Sequence, residues 1–416
     1  MRILFVSNFF PPTFIGGYEL GCSRVVEELK RRGHACHVLT STYSDAASCQ
    51  DVTSRLRFCL SRCEPRRLGR LRTVVDDQVN RREVRTVIAA FRPEVIHIWN
   101  PMLLSPGVLY EAIETGVPNS FFVSDEWPTV WQTENDVSGQ RLAEALEFGP
   151  ARALYYGCSR VFGTGRRFGP LRIDRCQFAS RYLQARMQEC GVPLRQVCVV
   201  NWGVDRDAYL CERSWRDPAR RFLMAGQLSE HKGVHVGLEA FGKLVIANPQ
   251  VDLHLSIAGT ARDLIYESTL RSIVEEYNLG TKVKWLGKLD DRSLQKVYRS
   301  HDAFLFPSAW NEPFSIALVE AMSAGMTVVS TTTGGTGELL HDGENALVFN
   351  PGDSTECARL LQRISSDAGL CQRLSLGAEA ATVSLTLQKM VDAIEQELEH
   401  QRCHTANQIS RSACEQ

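Results

Sequence analysis

Phe306-Pro307-Ser308-Ala309-Trp310-Asn311-Glu312-Pro313-Phe314-Ser315-Ile316-Ala317-Leu318-Val319-Glu320-Ala321 runs from the end of one apolar stretch, through a polar loop, into a second apolar stretch. It reads as a strand that ends, a loop that turns and a helix that begins near Phe314. A helix start carries free N–H groups and the positive end of the helix dipole. The backbone of Phe314, Ser315 and Ile316 can therefore bind phosphate without a charged side chain. Two carboxylates bracket that start. Glu320 lies along the helix, roughly 9 Å from its start at about 1.5 Å per residue, close to the span from a diphosphate to a ribose. Glu312 stands in the loop and faces the other way, so one carboxylate can accept from ribose hydroxyls while the other meets a transferred sugar. Two isolated glutamates would be a surface pair. These two follow the C-terminal end of a strand in an α/β pattern, where open parallel sheets bind their ligands.

The same alternation extends outward from this stretch. In the C-terminal half, strands are expected over 222–225, 253–258, 283–286, 303–306, 327–330 and 347–349, each followed by a helix or tight loop. In the N-terminal half a strand over 3–7 leads through a glycine-bearing loop, Pro11 to Gly17, into a helix with Leu20, Val25, Val26 and Leu29 at helical spacing and Gly33 as its stop. Further strands are expected over 36–40, 95–98, 120–123 and 197–200. Strands alternating with helices imply parallel sheets covered on both faces. The fold class is thus α/β, with two Rossmann-like domains over 1–204 and 221–383. A polar, proline-containing linker over 205–220 separates them, a charged helix follows over 384–400 that can return to the N-terminal domain, and a disordered tail is expected over 401–416.

Composition excludes several classes. The chain has 416 residues, a net charge of -1 and 44% hydrophobic residues, so it is neither disordered nor broadly basic, and no nucleic-acid partner is implied. No run of eighteen apolar residues occurs, and no signal peptide is legible at the start, which points to the cytoplasm. Fourteen cysteines are scattered without a metal-binding spacing; only Cys59 and Cys63 stand close together, and reduced, mostly buried thiols are expected. Arginines gather over about 50–90, at Arg62, Arg66, Arg67, Arg70, Arg72, Arg81 and Arg82. That segment reads as an insert that is first a solvated helical face, and otherwise a peripheral contact with the inner face of a membrane or with an anionic acceptor.

Glu312 to Glu320 matches the E-x7-E motif of family 4 retaining glycosyltransferases, and the chain resembles that family over nearly its whole length. Gly226-Gln227-Leu228-Ser229-Glu230-His231-Lys232-Gly233 is similar to its donor-phosphate segment. Gly334-Gly335-Thr336-Gly337-Glu338-Leu339, then Asp342-Gly343-Glu344-Asn345, is similar to its next signature. Asn201-Trp202-Gly203-Val204-Asp205 fits its inter-domain turn, and Pro12 to Gly17 with Glu19, then Arg32-Gly33-His34, its N-terminal glycine loop and following helix end. The resemblance implies a GT-B fold, in which two Rossmann-like domains face each other across a cleft. It also implies a nucleotide-diphosphate sugar donor, UDP- or GDP-linked, with retention at the anomeric carbon and neither metal nor cofactor.

Residue by residue, Glu312 and Lys232 are expected to be catalytic, Lys232 by stabilising charge on the leaving diphosphate. Gly16 and Gly17 allow close approach of backbone to phosphate. Gln227, Phe314, Ser315, Ile316 and Glu320 are expected to bind donor, and Lys288 and Leu289 to meet its base. Gln227 stands where the family often has arginine, and Ser124 where many members have histidine, so no histidine role transfers to Val123-Ser124-Asp125-Glu126-Trp127. Asp125 remains as the third catalytic candidate, on the acceptor side. Trp127, Trp131 and Tyr18 are aromatic surfaces of the kind sugars stack on, or core residues. The acceptor can be a glycan, a lipid-linked glycan or a small molecule. Competing readings are a nicotinamide-dependent dehydrogenase, which the missing GxGxxG argues against, and a sugar-nucleotide epimerase or phosphorylase. A third is a catalytically inactive relative that binds sugar nucleotide or a partner protein.

Overall fold

The computed structural model describes residues 1–14, 16–42, 50–58, 67–129, 173–211, 213 and 217–414. The chain divides into two compact units, one formed by Met1–Ala179, Leu183–Val200 and the chain from Val391, the other by Ser180–Tyr182 and Asn201–Met390.

The first unit follows the order β1 (Arg2–Ser7), α1 (Gly17–Arg31), β2 (Ala35–Ser41), β3 (Val52–Leu56), α2 (Arg67–Phe91), β4 (Val95–Asn100), α3 (Pro106–Glu114), β5 (Asn119–Val123), β6 (Ile173–Phe178), α4 (Arg181–Glu189) and β7 (Leu194–Val199). The strands pair in parallel in the order β3-β2-β1-β4-β5-β6-β7. Ile3, Leu4, Phe5 and Val6 of the central β1 are all 0% exposed, the unbroken apolar run of a strand covered on both faces. Two of these strands are not evident in the sequence. β3, Val-Thr-Ser-Arg-Leu, is a sheet edge with a half-exposed pattern, and β6, Ile-Asp-Arg-Cys-Gln-Phe, carries polar residues into the sheet, including Gln177 at 1% exposure.

The second unit follows with α5 (Arg206–Tyr209), β8 (Arg221–Ala225), α6 (Val234–Ala247), β9 (His254–Ala258), α7 (Leu264–Glu276), β10 (Val283–Gly287), α8 (Asp291–Ser300), β11 (Ala303–Phe306), α9 (Ile316–Ser323), β12 (Thr327–Ser330), β13 (Leu347–Val348), α10 (Ser354–Ile364), α11 (Ala368–Thr382) and α12 (Leu387–Cys414). Its parallel order is β10-β9-β8-β11-β12-β13. Asp263, Asp290, Ser315, Asp353 and Asp367 cap α7, α8, α9, α10 and α11, each side chain accepting from an N–H of the first turn. Such caps fix where a helix starts and contribute about 1 kcal/mol each.

Three expectations about organisation change. The residues expected as a linker belong to the body of the second unit: Tyr209 is 1% exposed, and the Arg213 guanidinium donates to the carbonyls of Tyr298, His301 and Ala324. The arginine-rich stretch is no insert, since its described residues form β3 and α2 within the alternation. Arg81 is 5% exposed beside Asp77 at 3.4 Å, so it does not lie on a solvated face; Arg62 and Arg66, like Cys59 and Cys63, lie outside the described residues. The expected disordered tail continues α12 to Cys414, carried past residue 400 by buried Leu398 and Gln401, with Gln401 donating one turn back to Glu397 at 2.8 Å. From Val391 this helix belongs to the first unit, where Arg32 bonds Asp392 and Glu395 at 2.7 and 2.6 Å and His34 meets Glu395 at 2.6 Å.

Candidate donor site and candidate residues of the first unit

In the second sheet β8 and β11 are neighbours, but the chain leaves β8 toward β9 on one side and leaves β11 toward β12 on the other. The loops after them diverge, and this reversal of strand order is where open α/β sheets hold ligands. After β8 the chain passes Gly226 (φ 140°) and exposed Gln227, makes a single 3-10 turn over Glu230–Lys232, and enters α6 through Gly233 (φ 66°). A Cβ at Gly233 would lie 2.0 Å from the Pro307 carbonyl oxygen, so the two loops approach at a distance only glycine permits. The backbone N–H groups of Ala309 and Trp310 both donate to the His231 carbonyl, at 2.9 and 3.1 Å, tying the loops together.

That closeness brings Lys232 and Glu312 into contact. Lys232 Nζ lies 2.5 Å from Glu312 Oε1, and the Ser308 hydroxyl donates to the same oxygen at 2.7 Å. The glutamate side chain is 6% exposed and the lysine 27%. Ser308 is held in turn by Thr331, whose hydroxyl donates to its carbonyl at 2.6 Å. The Gly335 N–H donates to the Glu312 carbonyl at 2.6 Å, and a Cβ at Gly335 would sit 2.1 Å from the Pro313 oxygen. The Gly334-Gly335 pair is thus required by packing against the Glu312 loop. Burial and the neighbouring Lys232 push the His231 imidazole below its usual range, and its ring lies 5.4 Å from that of Trp310, which is 48% exposed.

The helix after this loop begins at Ile316 rather than near Phe314, because the Ser315 hydroxyl caps it by accepting from Leu318 N–H at 3.3 Å. The first-turn N–H groups without a partner inside the helix are then those of Ile316 and Ala317. Phe314 is buried, at 9% exposure. Glu320, 6% exposed, accepts from the Tyr209 hydroxyl at 2.7 Å. Lys288 is exposed and Leu289 half-buried beyond β10, after Gly287 (φ 66°). Ser308, Tyr209 and Trp310 were not singled out from the sequence; Ser308, one helical turn's spacing before Glu312, offered the only local signal.

The remaining predicted residues lie in the first unit. Gly16 and Gly17 open α1, and Gly16 N–H donates to Glu19 at 3.0 Å. A Cβ at Gly16 would meet nothing within 4 Å, and its φ of -156° suits any residue, so the protein's own packing does not demand glycine there. Asp125 follows β5; its carboxylate accepts from Trp127 N–H at 2.8 Å and from the Asn100 side chain at 3.2 Å. Burial, aided by the charge of Glu19, raises its pKa to about 6 against those two hydrogen bonds. Of the aromatic candidates, Trp127 is 0% exposed and packs beside Phe121, a core residue rather than a stacking face, whereas Tyr18 is half-buried, its hydroxyl held between the carbonyls of Trp99 and Phe122. Trp131 lies outside the described residues, and Ser124 is buried at 7% exposure.

Comparison with known proteins agrees with this geometry. Residues 15–208 match the model of glycosyltransferase family 4, and residues 206–380 that of the glycosyl transferases group 1. The chain is 23% identical over 403 residues to a glycogen synthase of Mycobacterium tuberculosis, covering 92% of this chain and 91% of that one. It is 28% identical over 371 residues to a GDP-mannose-dependent alpha-mannosyltransferase of Mycolicibacterium smegmatis, covering 86% of each. Its fold is similar to that of Anabaena HepE, solved in complex with UDP and glucose, with a TM-score of 0.67 at 19% identity over 96% of this chain and 100% of that one. Two family models that together span residues 15–380, with two parallel α/β sheets to match, show that the chain belongs to the group 1 glycosyltransferases of GT-B fold.

Proposed function

We propose that this glycosyltransferase takes a nucleoside-diphosphate sugar, UDP- or GDP-linked, at the strand-order reversal of its second unit and transfers the sugar with retention and without a metal ion. The acceptor is a glycan, lipid-linked glycan or small molecule held by the first unit, in glycan, polysaccharide or glycolipid synthesis. The reading rests on the Lys232–Glu312 pair, a cation and a carboxylate 2.5 Å apart at the C-terminal edge of β8 and β11. As the bond from anomeric carbon to phosphate oxygen breaks, negative charge grows on the diphosphate, and Lys232 is placed to stabilise it. The N–H groups at the start of α9 add donors for the same charge. Glu312 lies beside the sugar, and the departing phosphate oxygen takes the proton of the acceptor hydroxyl on the face it leaves. Asp125, with its raised pKa, is the carboxylate offered to the acceptor in the first unit. HepE with UDP and the GDP-mannose-dependent relative support a uridine or guanosine donor.

The test is a thermal-shift panel of the full chain with UDP, GDP, ADP and their common sugar conjugates, repeated with Lys232→Ala and Glu320→Ala. One nucleotide is expected to stabilise the wild type and to lose its shift in both variants. No shift with any of them would overturn the donor reading, and a product of inverted anomeric configuration by NMR would overturn retention.

A further inference from the structure

Glu320 is buried among groups that the donor reading does not use. Tyr209, 1% exposed on the four-residue α5, donates its hydroxyl to Glu320 Oε1 at 2.7 Å. Tyr298 of α8, fully buried, donates its hydroxyl to the Ala317 carbonyl at 3.4 Å; burial and the nearby charge of Glu320 push its phenol well above the usual range. The two phenol rings pack edge to face, with centroids 5.7 Å apart and planes at 72°. A buried carboxylate needs donors to remain ionised, and the Tyr209 hydroxyl supplies one. That bond also restricts the carboxylate, and the Tyr298 ring packed on Tyr209 holds the donor in place. A carboxylate free to rotate about its last bond presents its oxygens in many directions, whereas one held by a rigid, packed phenol presents them in one. It can accept about four hydrogen bonds, enough for the Tyr209 phenol and a pair of vicinal hydroxyls together.

We propose that Tyr209 is a positioning residue for ribose recognition: by fixing the rotamer of Glu320 it aims that carboxylate at the 2′- and 3′-hydroxyls of the donor nucleoside. This rests on the reading above that Glu320 faces the ribose. The segment carrying Tyr209 sits in the second unit because this contact and the Arg213 contacts anchor it there, which gives α5 a role at the site rather than in a linker.

The experiment is calorimetric titration of the full chain with UDP and GDP and with their 2′,3′-dideoxy analogues, in the wild type and in Tyr209→Phe, Tyr298→Leu and Glu320→Gln. Hydrogen bonds to a charged group are lost with the dideoxy form, so the wild type is expected to prefer the ribose form by about tenfold or more. In Tyr209→Phe that preference is expected to fall to within about threefold, while affinity for the dideoxy form stays unchanged. Equal weakening of both forms, or a preserved preference, would mean that Tyr209 only packs and would overturn the proposal. If Tyr209→Phe does not fold, Tyr298→Leu decides, because it removes the ring packed edge to face on Tyr209: a reduced preference supports positioning through the Tyr209 phenol, and an unchanged one overturns it. A wild-type preference that survives in Glu320→Gln shows that Glu320 does not read the ribose, which removes the underlying reading and this proposal with it. Absence of binding by either nucleotide does the same at the level of the donor site.

Discussion

Replacing Lys232 with methionine keeps most of the side chain's bulk but removes the charge 2.5 Å from Glu312. The carboxylate would keep the Ser308 hydroxyl at 2.7 Å, yet its side chain is only 6% exposed and water cannot readily take the ammonium's place. Breaking a fully buried ion pair from one side costs about 3–5 kcal/mol. Because the lysine side chain is 27% exposed, the pair is partly screened, and about 2 kcal/mol is the better figure. In a unit of this size that corresponds to a fall in Tm of roughly 4–8 °C. The reverse change, Glu312→Gln, should cost about 1 kcal/mol or less, since its carbonyl still accepts from Ser308 and Lys232 can turn to solvent. The double variant should then cost less than the sum of the two, with a coupling of about 1–2 kcal/mol, while all three lose transferase activity. Urea unfolding followed by fluorescence measures these differences. Equal costs for the two single changes, or strict additivity, would refute the asymmetry on which the argument depends.

Gly233→Ala should destabilise the second unit by at least about 2 kcal/mol, because φ is 66° and the new Cβ would sit 2.0 Å from the Pro307 oxygen; Gly337→Ala, where nothing lies within 4 Å, should stay within about 0.5 kcal/mol, and urea unfolding compares them. His97 of the first unit, 0% exposed, has its pKa pushed down to about 3 by burial, so below pH 6.5 the unfolded chain binds a proton that the native chain refuses. Its stabilising contribution is complete above pH 6.5 and lost as pH falls, by about 2 kcal/mol at pH 5, and His97→Gln should flatten that fall; identical pH slopes for wild type and variant would sink the argument. Asp125 acts in the opposite sense, its raised pKa favouring the native state as pH falls from about 6 toward 4, so the two titrations partly offset in the wild type.

The strand, loop and helix around Glu312 were legible because each element declares itself locally. β11 is four buried apolar residues, Ser315 is a cap residue at the helix start, and the apolar run of α9 follows. β3 and β6 were not legible, since a half-exposed edge and a strand carrying Asp174, Arg175 and Gln177 lack the apolar signature, and only the neighbouring strands give them their state. Glu312 and Lys232 could be named separately, but their contact depends on the approach of two loops 80 residues apart in the chain, which glycine at 233 permits. Tyr209 escaped notice for the same reason. Its segment is polar and short, and nothing local reveals that its phenol ends against a glutamate 111 residues away. Trp127 shows the converse, an aromatic in a suggestive position that packing claims entirely.

The edge of the second sheet is built more from backbone than from side chains. β8, β9 and β10 all end in glycines with positive φ, Gly226 at 140°, Gly259 at 145° and Gly287 at 66°. They are stitched by the N–H of Gly226 to the Ala258 carbonyl at 2.9 Å and the N–H of Gly259 to the Gly287 carbonyl at 2.8 Å. A Cβ at Gly259 would lie 1.8 Å from the Gly226 oxygen, so that position cannot carry a side chain without the two strands moving apart, while at Gly226 and Gly287 there is room and only the positive φ favours glycine. An edge made this way presents amide groups whose positions are set by the sheet and survive most substitutions in the loops. Among the candidate site residues, Glu312 and Glu320 are buried charges and Lys232 is half-buried, while Gln227 and Lys288 are exposed. On the donor reading proposed above, substitutions at the first three are expected to act on transfer and ribose contact.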